Sequence, residues 1–194
     1  MSKIMLKKFE LKEGLNIIFL SHGPNQEFIS NLGQVLSDRQ EIVNFFNDKE
    51  VSVEFLVEDN HLPEIQVVRD ILKQSQEVGT TNNLLANNSI LWLSKKENEI
   101  KVLTYRAKIE PEYDWLQVCI DFVNNYNNSE PDKDGYYKWG QIVPETCEYL
   151  CIDCGFIETF EALTVFPVCE VCLSGDPATD ESYSGPQKGY WEKI

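Results

Sequence analysis

Four cysteines in the last quarter of the chain stand in two pairs whose spacing is typical of a metal site. Two residues separate Cys151 from Cys154, and two separate Cys169 from Cys172. Thiolates at this spacing hold one ion from a single tight turn, and two such turns complete a tetrahedron of ligands. The pattern predicts one tetrahedral metal site with these four cysteines as ligands and one zinc ion (Zn²⁺) per chain.

The ligand type also indicates what the ion does. Four thiolates suit iron as well as zinc, so the ligands alone leave that choice open. Because thiolates fill every coordination position, no position remains for water or a substrate, and we expect a structural ion. Such an ion folds a segment too small for a core of its own. Cys119 is interpreted as a small buried apolar residue, and Cys147 as a spare thiol or a substitute ligand.

The segments around the two pairs resemble the knuckles of a zinc ribbon or rubredoxin-like domain. Gly155 follows the first pair, where a positive φ lets backbone amides point at the thiolates, and Pro167 precedes the second pair by two residues. The resemblance covers about residues 146–175 and implies a β-hairpin within 156–166. The short gap between the pairs differs from rubredoxins and favours zinc. Leu173 departs from the family pattern, which has glycine there.

The charge of the chain bears on its partners. The 194 residues include 17 basic and 32 acidic ones, a net charge of −15. From Glu145 onwards ten acidic residues accompany two lysines and no arginine. Nucleic acids and anionic membranes are bound mainly through Lys and Arg, so the charge argues against both as partners, and we expect another protein with a basic surface. The alternative is that the charge serves only solubility.

The remainder of the chain predicts a mixed domain, α/β or α+β, over residues 1–130. A linker follows at 131–145, and 146–194 forms the zinc ribbon with a C-terminal tail, in which Tyr190 and Trp191 fold back as a late strand or clamp. Apolar periodicity predicts helices at 26–36, 40–46, 63–79 and 111–126, and strands at 4–11, 15–20, 51–57, 90–93 and 100–105.

A second candidate site is the turn at His22, between a predicted strand and a predicted helix. Free amides and the helix dipole converge at such a turn and favour anions. Residues 18–22 resemble the opening strand of TIR-like nucleotide-processing domains. That resemblance implies a small nucleotide-processing enzyme with the ribbon as scaffold. His61, beside Asp59, is either a general base that meets His22 in space or part of a surface turn.

Taken together, the sequence predicts a non-enzymatic, acidic, cytoplasmic protein that binds another protein, as an adaptor or as an inhibitor of the immunity type. No catalytic residue is assigned. No apolar run approaches the ~18 residues of a membrane span. The first residues lack a long apolar region, so we expect no cleaved signal peptide and reduced thiols that ligate metal rather than form disulfides. The nucleotide-processing enzyme is the alternative.

Overall fold

The computed structural model describes residues 9–21, 26–74, 88–128, 130–173 and 190–194. The chain divides into two compact units, Met1–Pro111 and Glu112–Ile194. The first contains a mixed sheet with helices, and the second a small antiparallel sheet that holds the four paired cysteines. This confirms the predicted fold class. In the described ranges, no helix combines the length and apolar character that crossing a membrane requires.

The sheet of the first unit has four strands in the order β2-β1-β3-β4. Strand β1 pairs in parallel with β2 and antiparallel with β3, and β3 pairs antiparallel with β4. A turn at Glu97 and Asn98 joins β3 to β4, which confirms the strands predicted at 90–93 and 100–105 and shows that they form a hairpin. The strands are β1 (Gly14–Ser21), β2 (Ser52–Val57), β3 (Ser89–Lys96) and β4 (Glu99–Ala107). The predicted strand at 4–11 lies largely outside the described residues.

Two helices connect the parallel strands β1 and β2. They are α1 (Gln26–Asp38) and α2 (Gln40–Asp48), and each ends two residues beyond its predicted end. Parallel neighbours need a crossover of this kind, because a tight turn joins only antiparallel strands. Gly33 of α1 lies against β2, where an added Cβ would come within 3.2 Å of the Phe55 ring. The two helices therefore form the crossover of a βαβ unit.

Helix α3 (Glu58–Gln74) begins earlier than predicted, five residues before Pro63. His61 has non-helical torsions, φ −128° and ψ 28°, so the helix is kinked two residues before the proline. Proline lacks an N–H and its ring clashes with the preceding turn, which explains the kink. The prediction took Pro63 as the helix start, whereas a short turn of helix precedes it.

The core of the first unit forms around the central strand β1. Seven of its eight residues are buried, as expected for a strand with neighbours on both sides and cover on its faces. Ile18 and Leu20 belong to one apolar cluster with Ile65, Val68 and Leu72 of α3. The helical spacing of those three residues is the pattern from which the helix is predicted.

The second unit begins with helix α4 (Trp115–Tyr126). The helix starts four residues later than predicted, because Asp114 caps it by accepting a hydrogen bond from the backbone N–H of Gln117 at 3.1 Å. Its Asn125 side chain donates to the carbonyl of Trp139 at 2.9 Å. The sequence assigns this helix to the domain of residues 1–130, whereas contacts group it with the second unit.

The sheet of the second unit is antiparallel, in the order β5-β8-β6-β7. Strand β8 contains Tyr190 and Trp191 and lies between β5 and β6, which confirms the predicted late strand. The predicted hairpin within 156–166 is wrong: only its first part is a strand, and it pairs with β6. The elements are β5 (Tyr136–Lys138), β6 (Cys147–Cys151), β7 (Ile157–Phe160), the short helix α5 (Glu170–Leu173) and β8 (Tyr190–Lys193).

Candidate metal centre

The first cysteine pair forms the turn of the β6–β7 hairpin. Cys151 is the last residue of β6, and its carbonyl accepts from the N–H of Gly155 at 2.8 Å. Its own N–H donates to the carbonyl of Phe156, also at 2.8 Å. Gly155 has a φ of 77°, in the left-handed region where glycine carries no Cβ penalty. The predicted positive φ of this glycine is therefore confirmed.

The second pair has a different local structure. Cys169 is fully buried, and Cys172 lies within the single helical turn of α5. A helical turn brings residues three apart onto one side, which brings the two thiols together without a glycine after the second cysteine. This explains why Leu173 is accommodated where the zinc-ribbon pattern has glycine.

The four sulfur atoms form one compact group. The Sγ atoms of Cys151 and Cys172 are 3.7 Å apart, and those of Cys154 and Cys169 are 3.6 Å apart. All four lie within 4.8 Å of one another. A tetrahedron with zinc–sulfur bonds of about 2.3 Å has edges of about 3.8 Å. The group therefore has the size and the donor set to hold one metal ion.

This group forms part of the core of the second unit. Cys151 and Cys169 have no exposed surface, whereas Cys154 is exposed. The cluster that includes the two buried cysteines consists otherwise of apolar and aromatic side chains: Val143, Tyr149, Phe160, Phe166 and Trp191. A metal ion at this position would be covered by the aromatic core on one side and open towards solvent at Cys154.

Burial and crowding determine the protonation of the thiols. Burial, together with the neighbouring thiols, raises the pKa of Cys169 to about 11 and that of Cys172 further. Burial acts in the same direction on Cys154, but the backbone N–H of Phe156 and the other three thiols lower its pKa below the usual value. The group thus favours one thiolate, at Cys154, over several adjacent negative charges. A bound cation would displace the protons from the other thiols.

Cys147 and Cys119 lie outside the group of four, which favours the spare-thiol alternative for Cys147 over the substitute ligand. Cys147 is half-buried beside the core, and Cys119 is fully buried in α4, where burial raises its pKa well above the ordinary value. Burial raises the pKa of Tyr149. The Tyr149 hydroxyl donates to the carbonyl of Glu145 at 3.1 Å.

The alternative site at His22 lies outside the described residues, so its meeting with His61 stays a prediction. The Nδ1 atom of His61 accepts a hydrogen bond from the backbone N–H of Val57 at 3.2 Å. This bond joins the end of β2 to the kinked start of α3. The bond gives the imidazole a structural role. In an imidazole that carries its proton on Nε2, Nδ1 is the one nitrogen that can accept a proton, and this bond already occupies it.

The sequence pattern places Trp191 only in a late strand or clamp, and it does not connect Tyr149 with the cysteine group. Tyr149 and Trp191 are both fully buried against it. The signal for Tyr149 was present, because Cys147, Tyr149 and Cys151 alternate along β6 and alternate residues of a strand share one face. No comparable local signal connects Trp191 with the cysteines, since 18 residues of sequence separate it from Cys172.

Comparison of the chain with models of known protein families, with curated proteins and with solved structures finds no match. The class that the geometry itself supports is a protein with a C-terminal antiparallel sheet and a group of four cysteines that could hold one metal ion, an arrangement consistent with a zinc-binding knuckle module.

Proposed function

We propose that this chain is a non-enzymatic, acidic protein-binding protein, an adaptor or an inhibitor, whose C-terminal unit is folded by one structural zinc ion. The ligands are Cys151, Cys154, Cys169 and Cys172. The observation that carries the metal assignment is the convergence of four sulfur atoms to within 4.8 Å in the core of that unit.

The choice of zinc rests on the chemistry and packing of the donors. Zinc has no redox chemistry and accepts a tetrahedron of four thiolates as a closed structural site. The unit is small, and its cysteines form part of a cluster of buried apolar and aromatic side chains. Binding of zinc to peptides of this kind contributes roughly 10–16 kcal/mol near neutral pH. The ion therefore serves to stabilise the fold, with no position for a substrate.

The assignment to protein binding rests on the charge of the same unit. Residues 139–173 contain no lysine or arginine and six acidic residues, namely Glu145, Glu148, Asp153, Glu158, Glu161 and Glu170. A zinc ion with four thiolates adds about two negative charges to this segment. Such a surface repels phosphate backbones and anionic lipids and attracts Lys and Arg side chains. A protein with a basic surface is the partner that fits.

Metal analysis of matched cysteine variants tests the zinc site. The parent chain is expected to hold one zinc per chain, and its cobalt-substituted form to give the absorption of a tetrahedral four-thiolate centre. Cys154→Ser should lose tight zinc binding and the folded signal of the second unit. Cys147→Ser is the matched control, because this thiol lies outside the group, and it should retain the ion. Tight, stoichiometric zinc in Cys154→Ser would refute the ligand set.

Affinity capture at two salt concentrations tests the binding function. A basic partner captured at low ionic strength should elute as salt rises, because screening weakens exposed charge pairs. Duplex DNA at physiological salt should not bind. The nucleotide-processing alternative predicts instead that a nucleotide raises the melting temperature and that His22→Ala abolishes this effect. That pair of results, without a basic partner, would replace the proposed function.

A further inference from the structure

We propose that the outer edge of β7 is the docking site for an extended, basic segment of the partner, which joins the C-terminal sheet as an additional strand. The inference rests on the proposed protein-binding function and assigns it a surface and a partner chemistry. Addition of a peptide strand to an open sheet edge is a common mode of recognition, in which backbone hydrogen bonds provide affinity and alternate side chains provide selectivity.

The sheet order places β7 at an edge. Within the described part of the chain, its one partner is β6. The N–H of Cys151 bonds to Phe156 across this hairpin, whereas the N–H of Ile152 bonds to Tyr190 in β8. Odd-numbered residues of β6 thus bond towards β7 and even-numbered ones towards β8.

The alternation of an antiparallel ladder then determines which backbone groups of β7 face outwards. Glu158 and Phe160 lie opposite Tyr149 and Cys147, the odd-numbered residues that bond towards them. The N–H and C=O groups of the intervening residues, Ile157 and Thr159, therefore point to the open edge. Both side chains are exposed, so a pairing strand can approach this edge.

The edge also carries apolar side chains beside the first cysteine pair. Phe156 and Ile157 are 39% and 49% exposed. Proteins protect edge strands by shortness, by charged side chains, by proline or by a bulge; β7 is short and carries one glutamate, but it contains no lysine, proline or bulge. Because β7 has only four residues, backbone bonds to it are few, and the apolar side chains provide the further anchorage that a short strand needs.

Charge selects the occupant of this edge. The first knuckle contributes Asp153, Glu161 directly follows β7, and no basic residue occurs anywhere in residues 139–173. A second copy of the chain would place these acidic residues against themselves, since like charges on facing strands are destabilising. A segment with Lys or Arg alternating with apolar residues matches both the charge and the exposed apolar side chains.

Amide hydrogen exchange of the zinc-loaded full chain tests this assignment with a defined probe. The probe is a synthetic peptide of alternating lysine and valine. We expect the amides of Ile157 and Thr159 to exchange fast in the free protein and to become protected when the peptide binds. Protection already present in the free protein would show that the chain itself or a second copy occupies the edge, and would overturn the proposal.

Two matched controls separate strand addition from simple charge attraction. The same peptide with N-methylated alternate amides keeps its charge but cannot pair, and should bind at least about tenfold more weakly. Thr159→Pro removes one outward N–H and spares the β6–β7 bonds, as proline is tolerated at such edge positions. It should weaken binding, whereas Thr159→Val should not. Equal binding of the N-methylated peptide, or of a glutamate–valine peptide, would refute the proposal.

These experiments distinguish failure of the docking site from failure of the proposed protein-binding function. A basic partner captured by the full chain, without any protection of the Ile157 and Thr159 amides, would leave the binding function standing and refute this docking site. The absence of both a captured partner and a peptide effect would refute both.

Discussion

Trp191 donates a hydrogen bond from its indole Nε1 to the carbonyl oxygen of Pro167 at 2.9 Å. The bond connects strand β8 to the segment that leads into the second cysteine pair. The indole has no exposed surface, and its ring meets that of Phe160 edge to face at 4.7 Å. Residues close to the C-terminal end of the chain thus support the cysteine group from within the core.

Removal of the Trp191 side chain should therefore affect both stability and metal binding. Trp191→Ala is expected to lower the free energy of unfolding of the second unit by about 3–5 kcal/mol, because it leaves a large cavity. Zinc should bind more weakly, since the folded site becomes less populated. Denaturant unfolding of the zinc-loaded chain and zinc competition with a chelator measure the two effects. Tyr190→Ala is the control on the same strand, because that side chain is 38% exposed. Equal effects of the two variants would contradict the prediction.

Gly140 is expected to resist substitution for two separate reasons. Its φ is 83°, and an added Cβ would lie 3.0 Å from Cδ2 of Phe122 on α4. Gly140→Ala should lower the free energy of unfolding by at least about 1–3 kcal/mol, from backbone strain and crowding together. Gly135 has a similar φ of 87° with no atom within 4 Å of an added Cβ. Gly135→Ala therefore measures the strain alone, and an equal loss in both variants would argue against crowding at Phe122.

Gln141 satisfies three backbone groups from a buried position. Its Oε1 accepts from the N–H of Lys138 at 2.5 Å, and its Nε2 donates to the carbonyls of Asn128 and Glu130 at 3.0 and 2.8 Å. Gln141→Leu keeps a similar size but leaves these groups unpaired, which should lower the free energy of unfolding by about 1–3 kcal/mol or more. The exposed Gln117→Leu should change it by less than about 0.5 kcal/mol. Denaturant unfolding compares the two, and a Gln141→Leu loss as small as that of Gln117→Leu would be contrary to expectation.

Glu13 should contribute a pH-dependent contact in the first unit. The backbone N–H of Glu97, at 3.0 Å, and the ammonium of Lys95, at 3.2 Å, lower the pKa of its carboxyl group. The pKa is thus lower in the folded than in the unfolded state. The stabilisation is present above the unfolded value of about 4.3 and is lost as the pH falls through the lower folded value.

NMR titration of the Glu13 carboxyl carbon measures this shift directly. Glu13→Gln should remove the part of the pH dependence of stability that this carboxyl group contributes. Amide exchange at Glu97 should become faster in that variant. A Glu13 carboxyl that titrates at the value of a free glutamate would be incompatible with the contact. High salt should weaken the Lys95 contribution more than the Glu97 hydrogen bond, because the ion pair is exposed.

Much of the local structure could be predicted because it depends on neighbouring residues. The cysteine pairs, the positive φ of Gly155 and the helices α1 and α2 each result from side chains within one or two turns. The errors at helix starts were also local: the cap by Asp114 overrode the expected start at Pro111, and helix formation at Glu58 preceded Pro63. In both cases the prediction took a proline as the helix start, whereas the helix begins at another residue within a few positions of it.

The sequence by itself determined which four residues are suited to hold a metal ion, because thiol chemistry and tight-turn geometry are properties of a few adjacent residues. Only the tertiary structure decided that β8 lies between β5 and β6, that β7 is left at the edge, and that Trp191 covers the cysteine group. These relationships depend on strand pairing between distant segments. Pairing distant strands costs chain entropy because long loops are closed, and burial of aromatic side chains must offset this cost. A local sequence pattern does not show whether it does.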